Sequence, residues 1–223
     1  MKIIVGVIAS PGEYYDQAEI IWRSYMNCNS NVKSYFIKTD KTDAILENDV
    51  NTFVCKNTNE SIDNLLKKTI HFMKWALESD LEWSYLLRTN LSSLFHWENV
   101  LKTLKENSEY DIIASKENYG TISFPSGCGM FLSRKLVKEI CYISETLLTL
   151  TNYNDDVVLG IAITQLGYNY NNWKNIRYNH ITNDTNLETK SMHLRCKIEN
   201  TDMNTRKTKE IPMMYKWIRY WYP

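Results

Sequence analysis

Ser126-Gly127-Cys128-Gly129-Met130-Phe131-Leu132-Ser133-Arg134 is followed, further along the chain, by Asn154-Asp155-Asp156-Val157-Val158-Leu159-Gly160. The first stretch reads as a strand with glycine at alternate positions, and the second as a carboxylate pair opening an apolar helix. Glycine has no Cβ, so at Gly127 and Gly129 the backbone can press against a polar ligand, and Asp155 or Asp156 then waits nearby as a base. Each half also has a plainer reading. A glycine pair in a strand accommodates a bulge or close packing, and Asp-Asp before apolar residues caps a helix and meets its positive dipole end.

Outward from these stretches, strands and helices alternate. Residues 3–8 form a buried-type strand ending at Ala9-Ser10-Pro11-Gly12, and residues 16–25 then carry Ala18, Ile21, Trp22 and Tyr25 at helical spacing. Strands are expected over 32–38 and 50–55, followed by a long amphipathic helix over 61–78 with Ile62, Leu65, Leu66, Ile70, Met73 and Leu77 on one face. A central strand over 83–88 breaks at Thr89-Asn90-Leu91-Ser92-Ser93, before a helix over 97–106. Short strands follow at 111–115 and 122–124, the second continued by 129–132 into Ser133-Arg134, where a helix begins, and another helix covers 155–167. Residues 183–209 are polar and charged, and residues 214–222 close the chain with an aromatic stretch. This alternation predicts an α/β fold in one domain, with a mostly parallel central sheet flanked by helices. In open sheets of that kind ligands sit beyond the carboxyl ends of the strands, which directs attention to Ala9-Ser10, Thr39-Asp40 and Thr89-Asn90.

Composition narrows the class. The 223 residues include 26 basic and 26 acidic side chains, and this neutrality disfavours a nucleic-acid partner, which selects a basic excess. The five cysteines, at 28, 55, 128, 141 and 196, are odd in number and lack CxxC spacing, so they read as reduced thiols. No apolar run approaches the roughly 20 residues needed to span a bilayer. The first strand is too soon interrupted by Ser10-Pro11-Gly12 to serve as a signal peptide, and the expectation is a cytoplasmic protein with no transmembrane segment. Fifteen tyrosines and seven tryptophans supply rings for core packing or for stacking on sugars.

Four ordered motifs carry a resemblance to the fringe and β-1,3-glycosyltransferase family, which has the GT-A fold. Asn64-Leu65-Leu66-Lys67-Lys68-Thr69 resembles a helix pattern of that family, and Tyr85-Leu86-Leu87-Arg88-Thr89-Asn90 resembles the strand leading into its metal-binding Asp-x-Asp. Residues 126–134 are similar to its donor-sugar segment, and residues 155–160 to the motif bearing its base. The resemblance implies a hexosyltransferase that moves a sugar, with inversion, from a nucleotide-sugar donor, a UDP-sugar first among them, to a hydroxyl of a glycan or glycosylated acceptor. It implies a GT-A domain over 1–223, with about 1–115 holding the nucleotide and about 116–223 the donor sugar and acceptor. It makes Asp156 the base that takes the acceptor proton, with Asp155 capping the helix or orienting the acceptor. It makes Gly127, Cys128 and Gly129 the backbone against the donor sugar.

The chain departs from the family at Asn90-Leu91-Ser92, where two carboxylates would hold Mg²⁺ or Mn²⁺ against the donor diphosphate. An amide and a hydroxyl carry no charge for that ion but can hydrogen-bond ribose or phosphate directly. The expectation is therefore that no cofactor is required and a divalent metal is disfavoured. The leaving diphosphate's charge then falls to Lys68, Arg88, Arg195 and Lys197, with Arg206 beyond, and to a hydrogen bond from His193, which resembles the family's metal-ligating histidine. Nucleotide contacts are expected from Ala9, Ser10 and Asp40, and acceptor platforms from Tyr119, Phe124 and Trp97. A sugar- or nucleotide-binding module without catalysis is the competing reading.

Overall fold

The computed structural model describes residues 1–39, 49–172, 178–180, 191–198 and 202–223. Its first half runs β1 (Ile3–Ile8), α1 (Glu13–Arg23), β2 (Val32–Thr39), β3 (Thr52–Cys55), a 3-10 turn (Ile62–Asn64), α2 (Leu65–Glu78), β4 (Tyr85–Asn90), β5 (Ser93–Phe95) and α3 (Trp97–Glu106). The second half adds β6 (Ile112–Tyr119), β7 (Ile122–Ser133), α4 (Arg134–Tyr142), α5 (Ser144–Leu147), α6 (Asp155–Gln165), β8 (Asn171–Asn172), β9 (Tyr178–His180), β10 (His193–Arg195) and α7 (Met203–Trp221).

Every residue of β1 is buried, as expected of a central parallel strand covered on both faces. Its alternate side chains divide between two cores: Ile3, Val5 and Val7 meet Trp22, Phe95 and Trp217 on the side of α1, α3 and α7, and Ile4 and Ile8 meet Ile70, Met73 and Val158 on the side of α2, α4 and α6. The main sheet has the order β3-β2-β1-β4-β7-β6-β8. Pairing is parallel throughout except for β7, which runs against both β4 and β6. Its register sets Gly129 beside Thr89 at the carboxyl end of β4. A small second sheet, β5-β10-β9, brings the late segment back beside the same strand end.

The structure revises several expected boundaries. The strand expected at 122–124 with its continuation over 129–132 is the twelve-residue β7, unbroken through 125–128. Pro125 sits where the β6–β7 ladder shifts register between Ala114 and Lys116, and a missing N–H is tolerated at such an irregularity. The central strand expected over 83–88 runs instead to Asn90, which pairs with Ile8. Trp83 leaves the ladder, donates from its indole to the Ala76 carbonyl at 3.0 Å, and lies under the Arg134 guanidinium. The closing aromatic stretch belongs to the 19-residue helix α7, which tolerates Pro212 within it and starts where the Asp202 carboxylate accepts from the Thr205 amide at 2.9 Å. No helix among the described residues is long and apolar enough to cross a membrane.

Candidate active site

A cleft of about 560 Å³ opens at the carboxyl ends of β1 and β4, within the size range of roughly 300–1,000 Å³ usual for small-molecule sites. Tyr15, Ile62 and Leu65 give it apolar surface beside Ser10, Ser61 and the Glu60 carboxylate, and Arg195, Lys197 and Arg206 line it together with Asn90 and Ser92. The Arg206 charge is met by the Glu210 carboxylate at 3.0 Å.

The antiparallel pairing of β10 with β5 sets Arg195 opposite Ser93. From there its Nη1 donates to the Asn90 side-chain oxygen, to Ser92 Oγ at 2.9 Å and to Ser93 Oγ at 3.3 Å. A guanidinium thus lies among the side chains of the Asn-x-Ser turn, and all three of these acceptors are uncharged.

Asn90 also reaches inward. Its Nδ2 donates to the Gly127 carbonyl at 3.0 Å, which accepts from Arg88 Nη1 as well. The Gly127 amide donates to Asp156 Oδ2 at 3.1 Å, and the Val157 amide donates to Asp156 Oδ1 at 3.0 Å. Hydrogen bonds therefore run unbroken from Arg195 on the cleft wall through Asn90 and Gly127 to Asp156. Burial and, next, the neighbouring Asp155 charge raise the Asp156 pKa, with Arg88 and the two amides opposing the rise. Asp155 is buried and ion-paired to Arg88 Nη2.

The positions singled out in the sequence fall into three groups. Ser10, Asn90, Ser92, Arg195 and Lys197 line the cleft. Arg88, Asp155, Asp156, Gly127, Cys128, Gly129 and His193 form a layer adjoining Asn90. In that layer a Cβ at Gly127 would lie 2.7 Å from Arg88 Nη1 and 3.1 Å from Asp156 Oδ2, and one at Gly129 would lie 3.2 Å from His193 and from Phe95. The space freed by both glycines is thus filled by the protein's own side chains. Cys128 is buried, its carbonyl accepts from Thr89 Oγ1 at 2.6 Å, and its sulfur receives the Ser126 hydroxyl at 3.2 Å. His193 stacks on Phe95 with ring centres 4.4 Å apart, and burial holds its pKa well below the ordinary value, so the ring is neutral.

The third group stands behind or beyond the cleft. Lys68 has no exposed surface: its Nζ donates to the Ala9 carbonyl at 3.1 Å and to both Glu60 oxygens at 2.8 and 3.0 Å, and burial lowers its pKa. Its influence on the cleft passes through Glu60. The Ala9 side chain is buried, and Asp40 lies outside the described residues. Trp97, expected as an acceptor platform, opens α3 and is wholly buried against Tyr25 and Phe95, because its ring completes the aromatic core. Phe124 is half-buried with its Cβ against α6, and Tyr119 is exposed.

Sequence reasoning did not find Tyr15, Glu60 or Ile62. The available signal was position: Tyr15 lies in the first turn after β1, and Glu60 and Ile62 lie in the connection after β3, both at the carboxyl edge of parallel strands.

A mostly parallel sheet with one reversed strand and a crevice at its carboxyl edge is the GT-A architecture, and solved structures of glycosyltransferases share it. A glycosyltransferase involved in glycosylation of the major capsid of PBCV-1 superposes with a TM-score of 0.60 at 10% identity, over 96% of this chain and 100% of that one. The galactosyltransferase LgtC, solved with donor and acceptor sugar analogues, gives 0.53 at 10% identity over 99% and 100%. Apo GlyE of Streptococcus pneumoniae TIGR4 gives 0.50 at 12% identity over 99% of this chain and 64% of that one. No family model matches the chain, and no curated protein matches its sequence.

Proposed function

We propose that the chain is an inverting glycosyltransferase that takes a nucleotide-sugar, a UDP-sugar first among the candidates, and transfers the sugar to a hydroxyl of a glycan or glycosylated acceptor without a resident metal ion. The observation that carries this reading is the hydrogen-bonded line from Arg195 through Asn90 and Gly127 to Asp156. It joins the cleft wall that carries Arg195 to the half-buried Asp156 carboxylate, whose pKa is raised.

The apolar surface of Tyr15, Ile62 and Leu65, from the first half of the chain, suits the nucleoside, and Arg195 and Lys197 suit the diphosphate. An acceptor hydroxyl attacks the anomeric carbon from the side opposite the diphosphate and gives its proton to Asp156. As the new C–O bond forms, the bond to phosphate breaks and its electron pair leaves with the diphosphate, whose charge the guanidinium offsets. General-base help of this kind contributes roughly 10²- to 10⁴-fold in rate.

The donor set at residues 90 and 92 does not fit a divalent cation, which favours charged oxygens. Both side chains are uncharged, and a cationic nitrogen already lies against their oxygens. Donor hydrolysis or transfer is therefore expected to keep its rate in EDTA. Loss of activity in chelator with recovery on adding Mn²⁺ would refute the metal-free mechanism. Thermal shifts with UDP-, GDP- and dTDP-sugars identify the donor, because a ligand that binds the folded state alone raises the melting temperature. No shift with any of them would remove the transferase reading.

A further inference from the structure

Tyr119 and Tyr153 hold their rings edge to face, 6.4 Å between centres and 86° between planes, on the outside of the molecule. Tyr119 is 63% exposed and Tyr153 40%. Two exposed rings that meet at one spot offer a surface on which a ligand can stack. Their placement is specific. Tyr153 stands directly before Asn154, the N-cap of α6, so that Asp156 is three positions on, at most about 11 Å along the chain. Tyr119 ends β6 at the hairpin whose other strand, β7, carries Gly127, the partner of Asp156.

The neighbouring groups fit one ligand chemistry. Asn152 and Asn154 stand on either side of Tyr153 and are exposed. The Asn154 side chain makes no cap hydrogen bond to its helix. Aromatic faces meet the C–H surface of a pyranose, and neutral amides donate to and accept from its hydroxyls. The asparagines are uncharged, and Glu117, two positions before Tyr119 and so on its face of β6, adds a carboxylate to which sugar hydroxyls can donate and which would repel an acidic peptide.

We propose that Tyr119 and Tyr153, with Asn152 and Asn154, form a subsite for a neutral sugar unit of the acceptor glycan, beyond the unit whose hydroxyl reaches Asp156. The orientation of the acceptor relative to Asp156 rests on the transferase reading; the carbohydrate site itself does not.

The test measures binding to a printed array of neutral oligosaccharides, followed by titration of the strongest hit, with the wild-type chain, the Tyr119→Ala/Tyr153→Ala variant and the Tyr119→Phe/Tyr153→Phe variant. The wild type and the Phe variant are expected to bind alike, and the Ala variant at least about tenfold more weakly. Equal affinity in the Ala variant, or no oligosaccharide bound by the wild type, overturns the subsite. The UDP-induced thermal shift, read on the same samples, reports the donor end separately. Ring-dependent oligosaccharide binding without a shift from any of the UDP-, GDP- and dTDP-sugars sinks the transferase reading and leaves the subsite standing.

Discussion

Asp156 presents its two oxygens to two different backbone amides, Gly127 on β7 and Val157 in its own helix. This fixes the carboxylate while burial and Asp155 make its ionised form less favourable than in water. Replacing it with asparagine keeps the size and an acceptor oxygen and removes the base. Asp156→Asn is expected to retain its UDP-induced thermal shift and to lose roughly 10²- to 10⁴-fold in transfer rate, and full transfer by the variant would exclude Asp156 as base. The raised pKa has a sign that can be checked. The base works only when ionised, so the acid-side fall in kcat lies above the ordinary aspartate value of 3.8, and a pH–rate profile that falls only below that value contradicts the assignment. At this scale the sequence showed what was embedded in a motif, such as Asp156, Gly127 and Asn90. Glu60 and Tyr15 were not legible, because a loop residue and one side of a helix's first turn have no periodicity to betray them.

Helix α6 is buried nearly all round, through Val157, Val158, Leu159, Ala162 and Ile163. It reaches β7 closely because Gly160 has no side chain: a Cβ there would lie 2.4 Å from Phe124 Cβ and 2.7 Å from the Ser123 carbonyl. Backbone cannot yield as a flexible side-chain tip can. Gly160→Ala is therefore expected to destabilise the fold by about 1–3 kcal/mol and to lower transfer more than nucleotide affinity, since the displaced helix carries Asp156 and not the cleft. Thermal denaturation with a nucleotide titration separates the two effects. Element legibility followed local pattern. Helix α3 matches its expected span because its caps and apolar spacing agree, whereas β5, β9 and β10 have three residues each and exist only through pairing with distant segments. Helix α7 was hidden by Pro212 and by interleaved lysines that break a clean apolar face.

For the whole molecule, the α/β class and the parallel sheet could be read from strand–helix alternation, but the return of the carboxy-terminal segment to the first helix could not. That return is held by a buried cluster. Glu210, fully buried, pairs with Arg206 at 3.0 Å, accepts from the Tyr14 hydroxyl on α1, and accepts from the Ile198 amide at 2.7 Å. Arg206 also donates to Tyr14 at 2.9 Å and covers its ring. Burial and Glu210 raise the Tyr14 pKa, so the phenol remains a donor. Removing one charge from such a cluster leaves the other buried without its partner. Glu210→Gln is expected to cost about 3–5 kcal/mol, a fall in Tm of roughly 6–20 °C for a chain of this size. A melting curve matching the wild type would show that α7 is held by its apolar face alone.

The line from Arg195 to Asp156 also bears on how the molecule comes into being. Its bonds join residues 105, 37 and 29 positions apart, and closing such loops is an entropic penalty met before any local contact compensates. Folding rates fall as contacts become more distant in sequence. Helices such as α3 can form from their own few residues, but the polar line needs β4, β7, α6 and β10 together, so competence to hold a ligand arrives late in the life of a newly made chain.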